Sequence, residues 1–179
     1  MTSSLHIAII GGGAAGFFAA IEAKRCNPYA DITIFEKNNA MLAKVAITGG
    51  GRCNLTNSFA LISDARQAYP RGHKLMKRLL KRFSHTDVYD WFEREGVPLV
   101  TQSDECVFPA SQDSQSIISC LTRLAVSLGV RQRCGHCLTD ISRNADSTLH
   151  LTFANGFEAD FHRRCAQGRR TVRACQSGA

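Results

Sequence analysis

Residues 7–21 read IAIIGGGAAGFFAAI, and this stretch decides the fold. It opens with a short apolar run of the kind found in strands that are buried on both faces. Three glycines follow at once, and then an alanine-rich helix that Asn27 and Pro28 bring to an end. A second β-branched run, DITIFEK, occupies residues 31–37. The order strand, glycine turn, helix, strand predicts a βαβ unit with a right-handed crossover in a parallel sheet.

The glycine turn has the spacing of a dinucleotide-binding motif. Gly11, Gly13 and Gly16 fit G-x-G-x-x-G, in which the glycines permit the tight turn, the approach of a pyrophosphate and close helix–strand packing. The helix N-terminus then offers N–H donors to the phosphates. Glu36 ends the next strand, where a carboxylate accepts from a ribose 2′-hydroxyl, and this argues against NADP at the site. The alternative is a glycine-rich turn in an unrelated α/β protein, with Glu36 a solvated strand end.

The ten residues TGGGRCNLTN, at 48–57, have a composition that no packed core requires. Three glycines allow the backbone to run close to a flat or charged ligand. Arg52 can pair with a phosphate or counter a reduced ring, while Asn54, Thr56 and Asn57 offer polar groups to a ring edge. The stretch predicts a second wall of the cofactor site, and the alternative is a surface turn with polar caps.

Four segments together carry a resemblance to a known family. IAIIGGGAAGFFAAI, FEKN and KVAITGGGRCNLTN resemble the bacterial FAD-dependent flavoproteins of the aminoacetone-oxidase-like family, a branch of the two-dinucleotide-binding-domain flavoproteins. CVFPASQDSQSII, at 106–118, is similar to the segment that follows in that family. The resemblance covers residues 5 to about 161. It implies a Rossmann-like α/β domain with a parallel sheet and a small antiparallel meander.

The resemblance also implies which residues bind FAD. Those for the ADP half are Gly11, Gly13, Gly16 and Glu36. Those along the ribityl and isoalloxazine side are Lys44, Thr48, Gly49, Gly50, Arg52, Asn54 and Asn57. Ala14, Ala15 and Lys37 complete the predicted cofactor-binding set. The chain departs from the family at Leu42 and Ala43, where many relatives carry glycine and a basic residue.

The implied activity is that of an oxidoreductase. A hydride or electron pair would pass between a small-molecule substrate and FAD, with NAD(P)H or oxygen as the other partner. Relatives are more than twice as long, and their substrate domains follow the part that this chain resembles. We therefore assign no catalytic acid, base or nucleophile, and no oligomeric state. The six histidines show no ligand spacing, so no metal is assigned.

The cysteines predict free thiols in a reducing, cytoplasmic compartment. All eight are scattered, no credible secretory signal precedes them, and the apolar stretch near the start is too short to span a bilayer. Cys134 and Cys137, in CGHC, have redox or zinc spacing, but a loop or strand end is the favoured interpretation because no second pair accompanies them. Cys53 could serve redox chemistry beside a flavin, and packing is again favoured.

The middle of the chain predicts two amphipathic helices, a strand pair and a third helix. KLMKRLLKRF, at 74–83, is a basic helix whose charged face is either solvated or in contact with RNA. Ser84 is a plausible N-cap, with Asp87 three residues later. VPLVTQSDECVFPAS, at 97–111, predicts two strands joined near Ser103, and SQSIISCLTRLAVSLGV, at 114–130, predicts a helix.

The last segments predict a hairpin and then an abrupt change. TLHLTFANGFEADF, at 148–161, has an Asn-Gly turn, so residues 1–161 are predicted to be the N-terminal part of an FAD-binding domain. The fold calls for one more buried parallel strand, but residues 162–179 have no apolar run, five arginines and no acid. We hypothesise that this aberrant basic tail is translated out of frame, because codons for His-Arg-Arg-Cys read one base later can encode Ile-Val-Val. Sequencing the DNA beyond codon 150 tests this.

Three functions compete for the chain. The first is an FAD-dependent oxidoreductase fold that binds FAD, and the second is an incomplete, catalytically inactive fragment of such a protein. The third is a non-catalytic nucleotide-binding or nucleic-acid-binding module. The net charge of +7 comes mostly from the tail, so we expect neither a nucleic acid nor a membrane partner.

Overall fold

The computed structural model describes residues 4–166. The strands are β1 (His6–Ile10), β2 (Asp31–Phe35), β3 (Thr56–Asn57), β4 (Leu99–Thr101), β5 (Cys106–Pro109), β6 (Arg131–Arg133), β7 (Leu138–Arg143), β8 (Leu149–Phe153), β9 (Glu158–Phe161) and β10 (Arg163–Ala166). The helices are α1 (Ala14–Cys26), α2 (Ala43–Ile47), α3 (Ala65–Ala68), α4 (His73–Leu80), α5 (His85–Arg94) and α6 (Gln115–Ser127). A 3₁₀ turn covers Thr48–Gly51.

These elements form two compact units. The first unit comprises the described residues up to Lys44 and from Leu121 onward, and the second is Val45–Cys120. The glycine turn therefore lies in the first unit, whereas the TGGGRCNLTN stretch lies in the second.

The first unit is built on the predicted parallel sheet, in the order β10-β1-β2-β6. The strands β1 and β2 pair in parallel, and Ala8, Ile9 and Ile10 are buried in β1 as the apolar run predicted. Helix α1 connects them and buries one face, with Phe17 and Ile21 fully inside. The βαβ unit and the Rossmann-like fold class are thus confirmed.

A second sheet of the first unit, in the order β7-β8-β9, is antiparallel and packs on the parallel sheet. Residues of both sheets form one core cluster: Ala8, Ile10, Phe35, Leu138, Leu151, Phe153 and Phe161. The rings of Phe35 and Phe153 lie 4.6 Å apart between their centroids. The predicted Asn-Gly hairpin joins β8 to β9, with Gly156 in the left-handed region at a φ of 81°. This is the small antiparallel meander that the resemblance implied.

The parallel sheet continues past residue 162. Strand β10 pairs in parallel with β1, so that Arg163 lies opposite Ile7 and Arg164 opposite Ala8. Pairing uses only backbone N–H and C=O groups, so a strand without an apolar run can form here. Arg163, Arg164 and Cys165 are exposed rather than buried. The rest of the predicted basic tail, residues 167–179, lies outside the described residues.

The second unit holds the antiparallel sheet β3-β5-β4 and helices α4 and α5. The predicted strand pair is confirmed, since β4 and β5 are antiparallel neighbours. The predicted cap of α5 is a full capping box, in which the Ser84 hydroxyl accepts from Asp87 N–H and the Asp87 carboxylate accepts from Ser84 N–H. In the part of the chain that the structure describes, no helix is both long enough and apolar enough to cross a membrane.

A charged cluster lies on the antiparallel sheet of the first unit. His150 Nδ1 is 2.8 Å from Asp160 Oδ1 across β8 and β9, and His150 Nε2 is 3.6 Å from Glu158 Oε2. The Asp160 hydrogen bond and the two negative charges raise the pKa of His150 above its ordinary value. The His150 hydrogen bond, with a second one from Asn144, lowers the pKa of Asp160.

The His150–Asp160 ion pair should therefore stabilise the fold only between two pH limits. The raised pKa of His150 contributes stability that is complete below the unfolded-state pKa of about 6.5 and lost as the pH rises through the folded-state value. The lowered pKa of Asp160 contributes stability that disappears in acid. We expect NMR titration to give His150 a pKa above 6.5, and Asp160→Asn to bring it back toward that value. An unchanged titration in Asp160→Asn would contradict the pairing.

Candidate functional site

The glycine turn of the first unit has the geometry that the motif requires. Gly11 has a φ of 113°, which L-residues with a side chain rarely adopt. A Cβ on Gly16 would overlap the carbonyl oxygen of Gly11, so the third glycine is needed for helix–strand packing. Gly13 is the N-cap of α1 and has no side chain to cap it. The first N–H groups of this 13-residue helix are therefore left for a ligand.

Glu36 lies directly beside the turn. Its Oε2 accepts from Gly12 N–H at 2.8 Å, and its Oε1 accepts from Asn38 N–H at 2.9 Å. An ionised carboxylate has about four acceptor sites, so about two remain for the hydroxyls of a ribose. The two backbone bonds hold the carboxylate against the turn.

Gly12 is a residue that the motif leaves unspecified and that sequence reasoning missed. A Cβ there would overlap Met41 Sδ and lie 2.9 Å from Glu36 Cβ. The Gly12 carbonyl also accepts from Leu42 N–H at 2.7 Å. Leu42 has a φ of 56°, which explains why glycine suits the corresponding position in relatives. The only sequence signal for Gly12 was the unbroken run of three glycines.

The CGHC segment supports the backbone that follows Glu36. His136 N–H donates to Glu36 C=O at 2.8 Å, and Gly135 N–H donates to Asn38 C=O at 3.0 Å. This gives the segment a structural role, in line with the favoured interpretation. Cys134 is an exposed free thiol, but Cys137 is disulfide-bonded, so the expectation of free thiols is wrong for Cys137. Among the residues described, no three His, Cys, Asp or Glu side chains could together hold a metal ion.

The second unit carries the TGGGRCNLTN stretch, whose backbone is left-handed at four positions. Gly49, Gly50, Gly51 and Cys53 have φ values of 58°, 68°, 86° and 64°. A Cβ on Gly49 would lie 2.7 Å from Asn54 N, whereas one on Gly50 would meet nothing within 4 Å. Gly49 is therefore required by packing. At Gly50 the backbone is open, as a ligand lying flat against it would need.

Ser114, a second residue that sequence reasoning did not single out, holds this stretch in place. Its N–H donates to Gly51 C=O at 2.8 Å, and its hydroxyl donates to Ala46 C=O at 3.1 Å. Ser114 is one of two buried polar residues among those described. The sequence signal for Ser114 was its place in CVFPASQDSQSII, the segment that is similar to the family. That segment could not reveal its hydrogen-bond partners, because they lie far away in the chain.

Arg52 is held against the protein as a fixed cation. Its Cζ lies 4.2 Å from the centroid of the buried Phe108 ring, a cation–π contact. Its Nε donates to Gly49 C=O at 3.2 Å, and its Nη1 donates to Gln112 Oε1 at 3.3 Å. A guanidinium has five N–H donors, so others remain for an anion.

Of the other predicted residues, six have exposed side chains and one, Asn57, has a side chain that is hydrogen-bonded to the backbone. Exposed in the first unit are Ala14, Ala15, Lys37 and Lys44, and exposed in the second are Thr48 and Asn54. Asn57 differs, because its Nδ2 donates to Asp104 C=O at 3.2 Å and its Oδ1 accepts from Phe59 N–H at 2.7 Å. Asn57 thus has a structural role in joining β3 to the loop before β5.

Cys53 is buried, with 5% of its surface exposed. Burial raises the pKa of its thiol, which disfavours the thiolate that redox chemistry uses. Cys53 is therefore best explained as packing.

One curated relative is the 3-dehydro-bile acid delta(4,6)-reductase of Clostridium scindens. It is 34% identical over 117 residues, which make up 65% of this chain. The chain spans 27% of that relative's length.

Solved structures share the fold at low identity. The quinol fumarate reductase of E. coli superposes with a TM-score of 0.62 at 18% identity, over 91% of this chain and 32% of that one. The 3-ketosteroid-delta4-(5alpha)-dehydrogenase of Rhodococcus jostii superposes with a TM-score of 0.60 at 15% identity, over 96% of this chain and 46% of that one. A family model described as the HI0933-like protein Rossmann domain matches residues 5–164. With nearly the whole chain matched, this protein belongs to the HI0933-like family.

Proposed function

We propose that the whole protein is an FAD-dependent oxidoreductase and that this chain supplies its FAD-binding Rossmann domain. The family match, the TGGGRCNLTN resemblance and the relative named as a reductase all support this. The observation that carries the proposal is the glycine turn, where Glu36 is held by two backbone N–H groups and keeps acceptor sites for a ribose. When bound, FAD takes up and passes on the hydride or electron pair.

In the first unit, the protein would hold the ADP half. The uncapped N-terminus of α1 donates to the diphosphate, and Gly13 lets the diphosphate approach the backbone. Glu36 accepts from the ribose hydroxyls, and a 2′-phosphate would meet its negative charge. Lys37, Ala14 and Ala15 are exposed beside these groups in the chain and complete the proposed contacts.

In the second unit, the proposed contacts are those of a flat or anionic group. The open backbone at Gly50 accommodates a flat group, and the fixed Arg52 guanidinium attracts an anion. Thr48 and Asn54 of this unit are exposed and complete the proposed contacts, and Lys44, the last residue of the first unit before Val45, is exposed as well. The finer assignment, to the aminoacetone-oxidase-like branch with a small-molecule substrate and NAD(P)H or oxygen as partner, is likewise proposed.

The test is retention of FAD by the purified 179-residue chain. We expect flavin absorbance to co-elute with protein after gel filtration, and ADP to compete with FAD. An ADP analogue carrying a 2′-phosphate should compete much more weakly, because Glu36 would repel it. Circular dichroism reports whether the chain is folded. A folded chain that binds neither FAD nor ADP would contradict the proposal for this chain.

A further inference from the structure

Gln112 has an unusual backbone conformation within the second unit. Its φ is 56°, in the left-handed region that a residue with a branched or long side chain seldom adopts. Such conformations persist where surrounding contacts impose them, and they cluster at functional sites. Gln112 lies in the turn between β5 and α6, and its side chain is exposed to solvent.

The side chain of Gln112 folds back onto its own turn. Its Nε2 donates to Pro109 C=O at 3.1 Å, and its backbone N–H donates to the same oxygen at 2.9 Å. Its Oε1 accepts from Arg52 Nη1 at 3.3 Å and from Gln102 Nε2 at 3.4 Å. The amide is thus oriented by the bond to Pro109, and its oxygen faces the guanidinium of Arg52.

Three groups then define the position of Arg52. The Phe108 ring lies beneath the guanidinium, Gly49 C=O accepts a hydrogen bond from Nε, and Gln112 Oε1 accepts one from Nη1. An arginine side chain has several rotatable bonds, so fixing it in advance lowers the entropy that a ligand must otherwise remove. Gln112 is the member of this group that has a strained backbone.

We propose that Gln112 is a positioning residue, whose side chain holds the Arg52 guanidinium ready for an anionic group of the bound cofactor. This inference rests on the proposed FAD function. The anionic group is either the diphosphate or the reduced ring, and the two are distinguished below. A role through Arg52 explains why a strained glutamine stands where glycine or asparagine would fit the backbone better.

The decisive variant is Gln112→Asn. Asparagine keeps the amide and tolerates the left-handed region better, but it is one methylene shorter and does not reach Arg52. We expect the urea midpoint of unfolding to stay the same or rise. The ¹H–¹⁵N heteronuclear NOE of Arg52 Nε–Hε should fall as the side chain is released. The affinity for FAD, in its oxidised or its reduced form, should fall by up to about tenfold, because binding must then immobilise the released Arg52 side chain.

The matched control is Gln102→Ala, which removes the other donor to Gln112 Oε1 without touching Arg52. It should change neither the Arg52 NOE nor the affinity for FAD. A second variant, Gln112→Gly, removes the strain together with the side chain and should behave like Gln112→Asn. If Gln112 served only the fold, a variant that keeps or gains stability would not lose affinity for FAD.

Two comparisons identify the anionic group. If Arg52 serves the diphosphate, Gln112→Asn weakens ADP and FAD equally. If Arg52 serves the reduced ring, ADP binding is unchanged and the midpoint potential of bound FAD becomes more negative.

The inference is overturned if the Arg52 NOE stays high in both Gln112 variants, or if it falls while both the affinity for FAD and the midpoint potential of bound FAD stay those of the wild type. A folded wild-type chain that retains no FAD contradicts the proposed function instead. In that case the NOE still decides whether Gln112 holds Arg52.

Discussion

Replacing Gly16 with alanine is expected to destabilise the chain by roughly 2–3 kcal/mol, since the new methyl group is forced into a packed backbone. The Cβ would overlap the carbonyl oxygen of Gly11 and lie 3.2 Å from the Gly11 carbonyl carbon, and neither atom belongs to a flexible side chain. In an unobstructed helix the same change would stabilise by up to about 1 kcal/mol. The sign of the effect therefore reports the contact between α1 and the turn. Urea denaturation, followed by circular dichroism, measures it.

The control for Gly16→Ala is Ala15→Gly, one residue earlier in the same helical turn. Ala15 is exposed, so its loss should cost no more than about 1 kcal/mol through helix propensity. Gly16→Ala should also abolish retention of FAD, because the helix N-terminus must move away from Gly11 to make room. A Gly16→Ala chain as stable as the wild type would show that the turn and helix are not packed as described.

Replacing Glu36 with alanine is expected to lower the affinity for ADP and for FAD about 100-fold, as the loss of two hydrogen bonds to a charged group predicts. It should also cost about 1–3 kcal/mol of stability, because the buried Gly12 N–H loses its acceptor. The Asn38 N–H can turn to water instead, since Asn38 is exposed. Isothermal titration calorimetry with ADP gives the first quantity and urea denaturation gives the second.

Two further variants separate these effects. Glu36→Gln keeps one acceptor oxygen and should give intermediate losses of both affinity and stability. Asn39→Ala changes an exposed residue of the same loop and should leave both unchanged. If Glu36→Ala binds ADP as the wild type does, Glu36 is only a structural partner of Gly12, and the ribose contact is wrong.

The sequence alone determined the local elements and the fold class. The strand, glycine turn and helix at residues 7–21 could be predicted because hydrophobic period, turn chemistry and helix propensity act over a few residues. The same holds for the capping box at Ser84 and the Asn-Gly hairpin before β9. It also holds for Gly11 and Gly16, whose φ and close packing follow from the motif itself.

Tertiary structure decided which groups meet across long stretches of chain. No local pattern indicated that Met41 and Glu36 would exclude a Cβ at Gly12, or that Ser114 would bond to Ala46 and Gly51. Strand β10 formed without an apolar run, because its parallel pairing with β1 depends on backbone groups rather than on side chains. These features depend on which surfaces the folded chain brings together. Residue type and spacing carry no direct information about that, so only the three-dimensional structure could assign a role to Gly12, Ser114 or Gln112.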